Sequence, residues 1–125
     1  MTERRRQHSP LTDVAGMLRS FSHVAAAALR ACTQTRPEDV SKLEPWAHFW
    51  QHWTSVHFLR SYLTTAAAAV FVPPEPRDLA VLLEAVLLEK VLDELHEALH
   101  HRLDWLQVPL QGLGQLVRLP AGTAP

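Results

Sequence analysis

Apolar residues recur at steps of three and four through most of this chain. In the first stretch they are Leu11, Val14, Ala15, Leu18, Phe21, Ala25, Ala28, Leu29 and Cys32. Residues three and four apart share a helix face, so the spacing predicts an amphipathic helix from Pro10 to Ala31. Ser9 and Pro10 suit its start: a serine hydroxyl accepts from the free N–H groups of a first turn, and proline's missing N–H costs nothing there. Gly16 lowers helix propensity by roughly 1 kcal/mol against alanine, which points to close packing by a neighbour. Cys32, in an Ala-rich run, reads as a small buried hydrophobe.

A polar connection from Thr33 to Ser41, holding Pro37, leads to a second helix that starts by Pro45 at the latest. Trp46, Phe49, Trp50, Trp53, Val56 and Leu63 fall along one side of it. Tryptophans bury large areas, so this helix is expected to anchor the core. Val72-Pro73-Pro74-Glu75-Pro76 ends it, because consecutive prolines cannot supply helical donors. A third helix is expected from Arg77 to Arg102. Its first half, Leu79 to Leu88, is apolar nearly all round, the pattern of a helix with neighbours on several sides. Its second half narrows to Val91, Leu92, Leu95 and Leu99. Trp105, Val108, Pro109 and Leu110 read as an apolar turn, and Leu113, Leu116 and Val117 as one short terminal helix. No stretch alternates as a strand does. The expected fold is all-α: three main helices and a short terminal one over residues 9–118, with a flexible basic start (1–8) and a disordered tail (119–125).

Composition narrows the function classes. With 125 residues, 47% hydrophobic and 20% charged, the chain fits one globular domain. A formal net charge of −1 gives no electrostatic argument for nucleic acid, and Arg4, Arg5 and Arg6 form the one basic run. The apolar stretch around Leu79 to Leu88 is interrupted by Glu84 and followed by Glu89 and Lys90, too short and too charged to span a bilayer. The expectation is therefore a cytoplasmic protein with no nucleic-acid and no membrane partner. A single cysteine excludes an intrachain disulfide framework.

Two histidine pairs bear on chemistry. His96-Glu97-Ala98-Leu99-His100 fits His-Glu-x-x-His, in which two imidazoles on one helix face bind zinc while the glutamate activates water. A third protein ligand is then needed, and downstream there are only His101, on another face, and Asp104. The favoured reading is exposed helix surface, with a zinc hydrolase the minor alternative. His48 and His52 repeat the spacing among aromatic residues, with only Glu44 nearby, and read as structural or solvent-facing. The chain has no Gly-rich phosphate loop and no Gly-x-Ser-x-Gly elbow. It also lacks a His-Gly-Asp loop and an Asp-Phe-Gly or Asp-Phe-Glu metal motif, which phosphoryl transfer would require. No catalytic, cofactor-binding or metal-ligating residue is assigned.

Two segments carry a resemblance. Ser9-Pro10-Leu11-Thr12-Asp13-Val14-Ala15-Gly16-Met17-Leu18-Arg19-Ser20-Phe21 is similar, apart from Thr12, to a stretch of the maltokinases, bacterial sugar kinases of the aminoglycoside-phosphotransferase-like fold. Leu87-Leu88-Glu89-Lys90, continuing through Glu94-Leu95, Leu99, Arg102, Asp104-Trp105, Pro109-Leu110 and Gly112, resembles the end of the same family. The resemblance covers most of this chain but only the tail of the family's length. It implies the C-terminal helical lobe of a kinase-like fold, from an enzyme that phosphorylates maltose with ATP to maltose 1-phosphate in trehalose and glycogen metabolism. ATP and Mg2+ would belong to the full enzyme, whose nucleotide and metal motifs lie upstream, so this chain alone is expected to be inactive. The implied partners are maltose or a similar sugar, a kinase N-terminal part, or trehalose synthase.

Where sugar contacts would be expected, Asp93 and Glu97 stand for tyrosines, Ala98 for a glutamate, His100 and His101 for an asparagine pair, and Leu103 for a proline. The retained candidates for sugar contact are Glu94, Arg102, Asp104 and Trp105. Structural roles compete with that assignment: Asp104 capping a turn, Arg102 pairing with a carboxylate, Trp105 closing the core. The alternative to the kinase reading is a standalone helical interaction or scaffold protein.

Overall fold

A computed structural model describes residues 10–66, 69 and 72–118. The start expected over 1–8, the Ser9 cap and the tail expected over 119–125 lie outside the described residues. Four helices follow one another: α1 (Pro10–Thr33), α2 (Val40–Thr65), α3 (Pro76–His101) and α4 (Gln107–Arg118). Short 3-10 turns at Pro37–Asp39 and Leu103–Trp105 lead into α2 and α4. No strand occurs among the described residues, and the fold is all-α as expected.

The boundaries have local causes. α1 runs past Ala31 to Thr33, whose hydroxyl donates to the Leu29 carbonyl at 2.7 Å. α2 begins at Val40, ahead of Pro45, which falls inside the helix. Pro76 opens α3, where its missing N–H costs nothing. α4 takes in Val108, Pro109 and Leu110, expected as a turn. Pro109 fits the helix because the first four N–H groups have no intrahelical acceptor, and its ring is fully buried.

α1 is the central element. It packs against α2 and against α3, and α4 closes onto α3 and α1. Among the described residues α2 and α3 make no close backbone approach to each other. The core gathers where α1 starts: Leu11, Val14, Ala15 and Val86 are buried, with Phe58, Leu59 and Tyr62 of α2 and Leu79, Leu82, Leu83 and Leu87 of α3 packed around them. Val91, Ala98 and Val108 continue the buried seam toward α4. No helix among the described residues is long and apolar enough to cross a membrane.

Three expectations about burial are corrected. α2 does not anchor the core through its tryptophans: Trp46, Phe49 and Trp53 are 69%, 58% and 47% exposed, and Trp50 is 43% exposed. The side of α2 that meets α1 carries Ala47, Gln51, Phe58 and Tyr62 instead. With α1 as its one main-helix neighbour, α2 has a single face to bury, and its aromatic stripe lies on the other side. Trp50, at the edge of that stripe, reaches back and meets Phe21 edge-on with ring centroids 6.4 Å apart. Cys32 is exposed rather than buried. It borders an open apolar groove with Leu29, Leu43, Trp46 and Trp50 near the end of α1. Val81, Leu88, Leu92 and Leu99 are likewise exposed, because α3 is covered by α1 and α4 rather than enclosed.

Candidate functional site

The best-built polar cluster lies where α1, α3 and α4 meet. Its centre is Arg19, a guanidinium on the buried face of α1 with a side-chain exposure of only 8%. A buried charge is costly unless it is paired and hydrogen-bonded. Arg19 is both: Nη2 donates to Glu94 Oε2 at 2.7 Å, and Nε reaches Oε2 at 3.0 Å and Oε1 at 3.3 Å. Nη1 donates to Ser22 Oγ at 3.4 Å, and that hydroxyl also accepts from Gln51 Nε2 at 2.6 Å, which brings α2 into the network. His23 Nε2, one turn along α1, lies 3.0 Å from Glu94 Oε1. No buried side-chain nitrogen or oxygen among the described residues lacks a partner.

Glu94 is pulled two ways. Burial pushes its carboxyl up, but the hydrogen bonds from His23 and Arg19 and the charges of both outweigh burial and hold it below the ordinary glutamate value. It is therefore a carboxylate at neutral pH. Both of its oxygens are engaged by these donors, so it is an acceptor already in use and poorly suited to general-base chemistry.

Gly112 of α4 completes the cluster. A Cβ there would sit 2.7 Å from Arg19 Nη1 and 2.9 Å from Cζ, closer than atoms approach without displacement. The missing side chain lets the α4 backbone lie against the guanidinium. Gly16, from which close packing was expected, has a looser setting: its nearest neighbour is Lys90 Cε at 3.9 Å, an ordinary contact.

Beside this cluster the structure places the four sugar-contact candidates. Glu94, Arg102 and Trp105 line one cleft of about 430 Å³, together with His23, Glu97 and Pro109. Asp104 faces a neighbouring cleft of about 270 Å³, walled by Ser22, Gln51, Gln107 and Gln111. Trp105 lines both and stands between them. Its ring has the Arg30 guanidinium 4.7 Å and the Arg102 guanidinium 5.3 Å from its centroid, the range of cation–π attraction. Arg30 Nη2 also donates to the Asp104 backbone carbonyl at 2.7 Å, and its Nη1 lies 3.6 Å from Asp104 Oδ2. These links tie the end of α1 to the turn before α4. Indole, guanidinium, carboxylate and amide groups in adjoining clefts make a surface that can bind a small polar ligand and offers no activated nucleophile.

The histidine pairs sit elsewhere. His96, Glu97 and His100 are exposed on α3, and among the described residues no three His, Cys, Asp or Glu side chains converge to hold a metal ion. His48 and His52 are exposed on α2, with His48 Nε2 3.5 Å from Glu44 Oε1.

Arg19, His23 and Gly112 had no assigned role in the reading of the sequence. A signal was present for Arg19: it lies four residues after Ala15, on the face that the apolar spacing marks as buried, and an arginine there needs a partner. Gly112 stands in the segment that carries the family resemblance, with no role implied for it there, and no comparable signal picks out His23. The chain matches no protein-family model and no solved structure.

Proposed function

We propose that this chain is a C-terminal helical lobe segment of a maltokinase-type sugar kinase, working in the cytoplasm with a nucleotide-holding half supplied by another stretch of polypeptide. The observation that carries the reading is the outward aromatic stripe of α2. Large aromatic side chains left open to solvent in a row mark a surface suited to being covered, and Trp46, Phe49 and Trp53 form such a row. The two segments that resemble the family bracket this stripe in the chain. In this reading the clefts beside Trp105 hold the sugar. Its indole would stack on a pyranose face, Arg102 would donate to hydroxyls, and Asp104 would accept from them. Phosphoryl transfer would then depend on ATP, Mg2+ and a catalytic aspartate held in the other half.

The test mixes the purified chain with the N-terminal portion of a maltokinase-type enzyme lacking this lobe, and follows maltose-dependent ADP release. The expected result is ADP release by the mixture and none by either part, with no Mg-ATP binding by the isolated chain in titration calorimetry. Tight Mg-ATP binding by the chain alone would overturn the proposal, and so would a mixture that neither associates nor turns over.

One observation favours the second reading, a standalone helical interaction protein. The engagement of Glu94 by Arg19 and His23 gives it a structural task and removes it as a ready sugar contact. A stable monomer that ignores kinase and trehalose-synthase partners would support this alternative.

A further inference from the structure

We propose that His96 and His100 form a two-imidazole site for a late first-row divalent metal ion, of the Cu2+ and Ni2+ kind, on the solvent side of α3. The two side chains lie one turn apart, with ring centroids separated by 4.3 Å and planes tilted by 39°. Nδ1 of His100 is 2.8 Å from the His96 carbonyl. A carbonyl has no proton to give, so Nδ1 carries the hydrogen and donates it. In the neutral ring the lone pair then resides on Nε2, at the other end of the imidazole. A bond of this kind, from one ring nitrogen to a backbone oxygen, is the usual device that fixes the tautomer of a metal-ligating histidine.

Both residues are exposed, so an ion can reach them and water can fill its remaining positions. Among the described residues no three ligating side chains converge, which sets the site apart from closed four-ligand structural zinc and from three-ligand catalytic zinc. Imidazole nitrogen favours copper, nickel and zinc over magnesium and calcium, and affinity rises toward copper. The spacing alone does not make the site. His48 and His52 are also four apart, yet His48 faces Glu44 at 3.5 Å and the His52 ring meets Trp53 edge-on at 5.6 Å. The inference stands independently of the sugar-kinase reading, since it uses none of the cleft residues.

Cu2+ titrated into the full chain in a non-coordinating buffer at neutral pH tests it, read by calorimetry and by nitrogen hyperfine structure in electron paramagnetic resonance. The expected result is one saturable site, weakened at least about tenfold in His96→Ala and in His100→Ala. The His48→Ala/His52→Ala variant should bind as the parent does. Unchanged affinity in the His96→Ala/His100→Ala double variant would overturn the proposal, as would loss of the site in His48→Ala/His52→Ala. Far-UV circular dichroism on each variant separates lost ligands from lost helix.

Discussion

Arg19 and Glu94 stand 75 positions apart in the chain, yet Arg19 Nη2 lies 2.7 Å from Glu94 Oε2. The pair joins α1 to α3 beneath the point where α4 comes closest. Removing the guanidinium leaves a mostly buried carboxylate with only His23 to answer it. Arg19→Ala should lose about 3 kcal/mol of stability, read as a lower urea midpoint at constant m-value. Arg19→Lys keeps the charge without the planar fork and should recover only part of the loss. Replacing both partners by apolar residues, Arg19→Met with Glu94→Leu, should cost less than Arg19→Met alone, because no charge is then stranded. Strictly additive losses in that cycle would deny the coupling.

The same pair gives stability a pH dependence with a definite sign. The folded state holds the Glu94 carboxyl below its ordinary value, so folding favours the ionised form. Its contribution is complete above the unfolded glutamate value of about 4.3 and falls as pH drops through the lower folded-state value. Glu94→Gln should therefore be less stable than the parent at neutral pH and should lose less on acidification. Thermal midpoints of both proteins from neutral pH into the acid range provide the check. Parallel curves would contradict it.

Three glycines in helices should respond to alanine with different signs. At Gly112 a Cβ meets the pinned Arg19 guanidinium at 2.7 Å. Gly112→Ala must push apart α1 and α4 or break the ion pair, and should cost about 2 kcal/mol. At Gly114 nothing lies within 4 Å, and at Gly16 the nearest atom is Lys90 Cε at 3.9 Å. There the gain in helix propensity is unopposed, and alanine should stabilise by about 0.5–1 kcal/mol. Denaturation midpoints of the three variants, measured side by side, decide the matter.

Size does not rank the hydrophobic residues here. Leu11 is fully buried in the seam between the helices, and Leu11→Ala should cost about 3 kcal/mol. Trp46 is much larger, but 69% exposed, and Trp46→Ala should change stability by no more than about 0.5 kcal/mol. Should Trp46→Ala prove the more damaging of the two in chemical denaturation, the outward placement of the aromatic stripe would be wrong.

Periodicity made the helices readable, and Pro10, Pro37 and Pro76 lie at or near helix starts, but α2 stops at Thr65, ahead of the Val72–Pro76 run expected to end it. Periodicity also put Leu11, Val14 and Ala15 on a common face that proved buried. What spacing does not carry is which face finds a neighbour. Trp46, Phe49 and Trp53 do share a side of α2, but α1 lies against the other side. Cys32 is exposed for the same reason: it lies on the α1 stripe, but at that end the flank of α1 stands open. Among the candidate site residues, Glu94, Arg102 and Trp105 do gather in one cleft. The partners that define Glu94 come from α1, more than 70 positions earlier, and a pairing across that separation leaves no local trace. Gly112 is harder still to foresee, since its role is the absence of a side chain where a guanidinium lies.

The placement of α1 between α2 and α3 bears on how the molecule opens. Because α1 meets both, losing it removes the α1–α2 and α1–α3 layers together and leaves α3 with α4 alone. Losing α2 need not do so, because the layers α1–α3 and α3–α4 survive its departure. Amide protons should accordingly exchange with deuterium slowest along the buried face of α1 and considerably faster in α2, through excursions that leave the remaining helices folded.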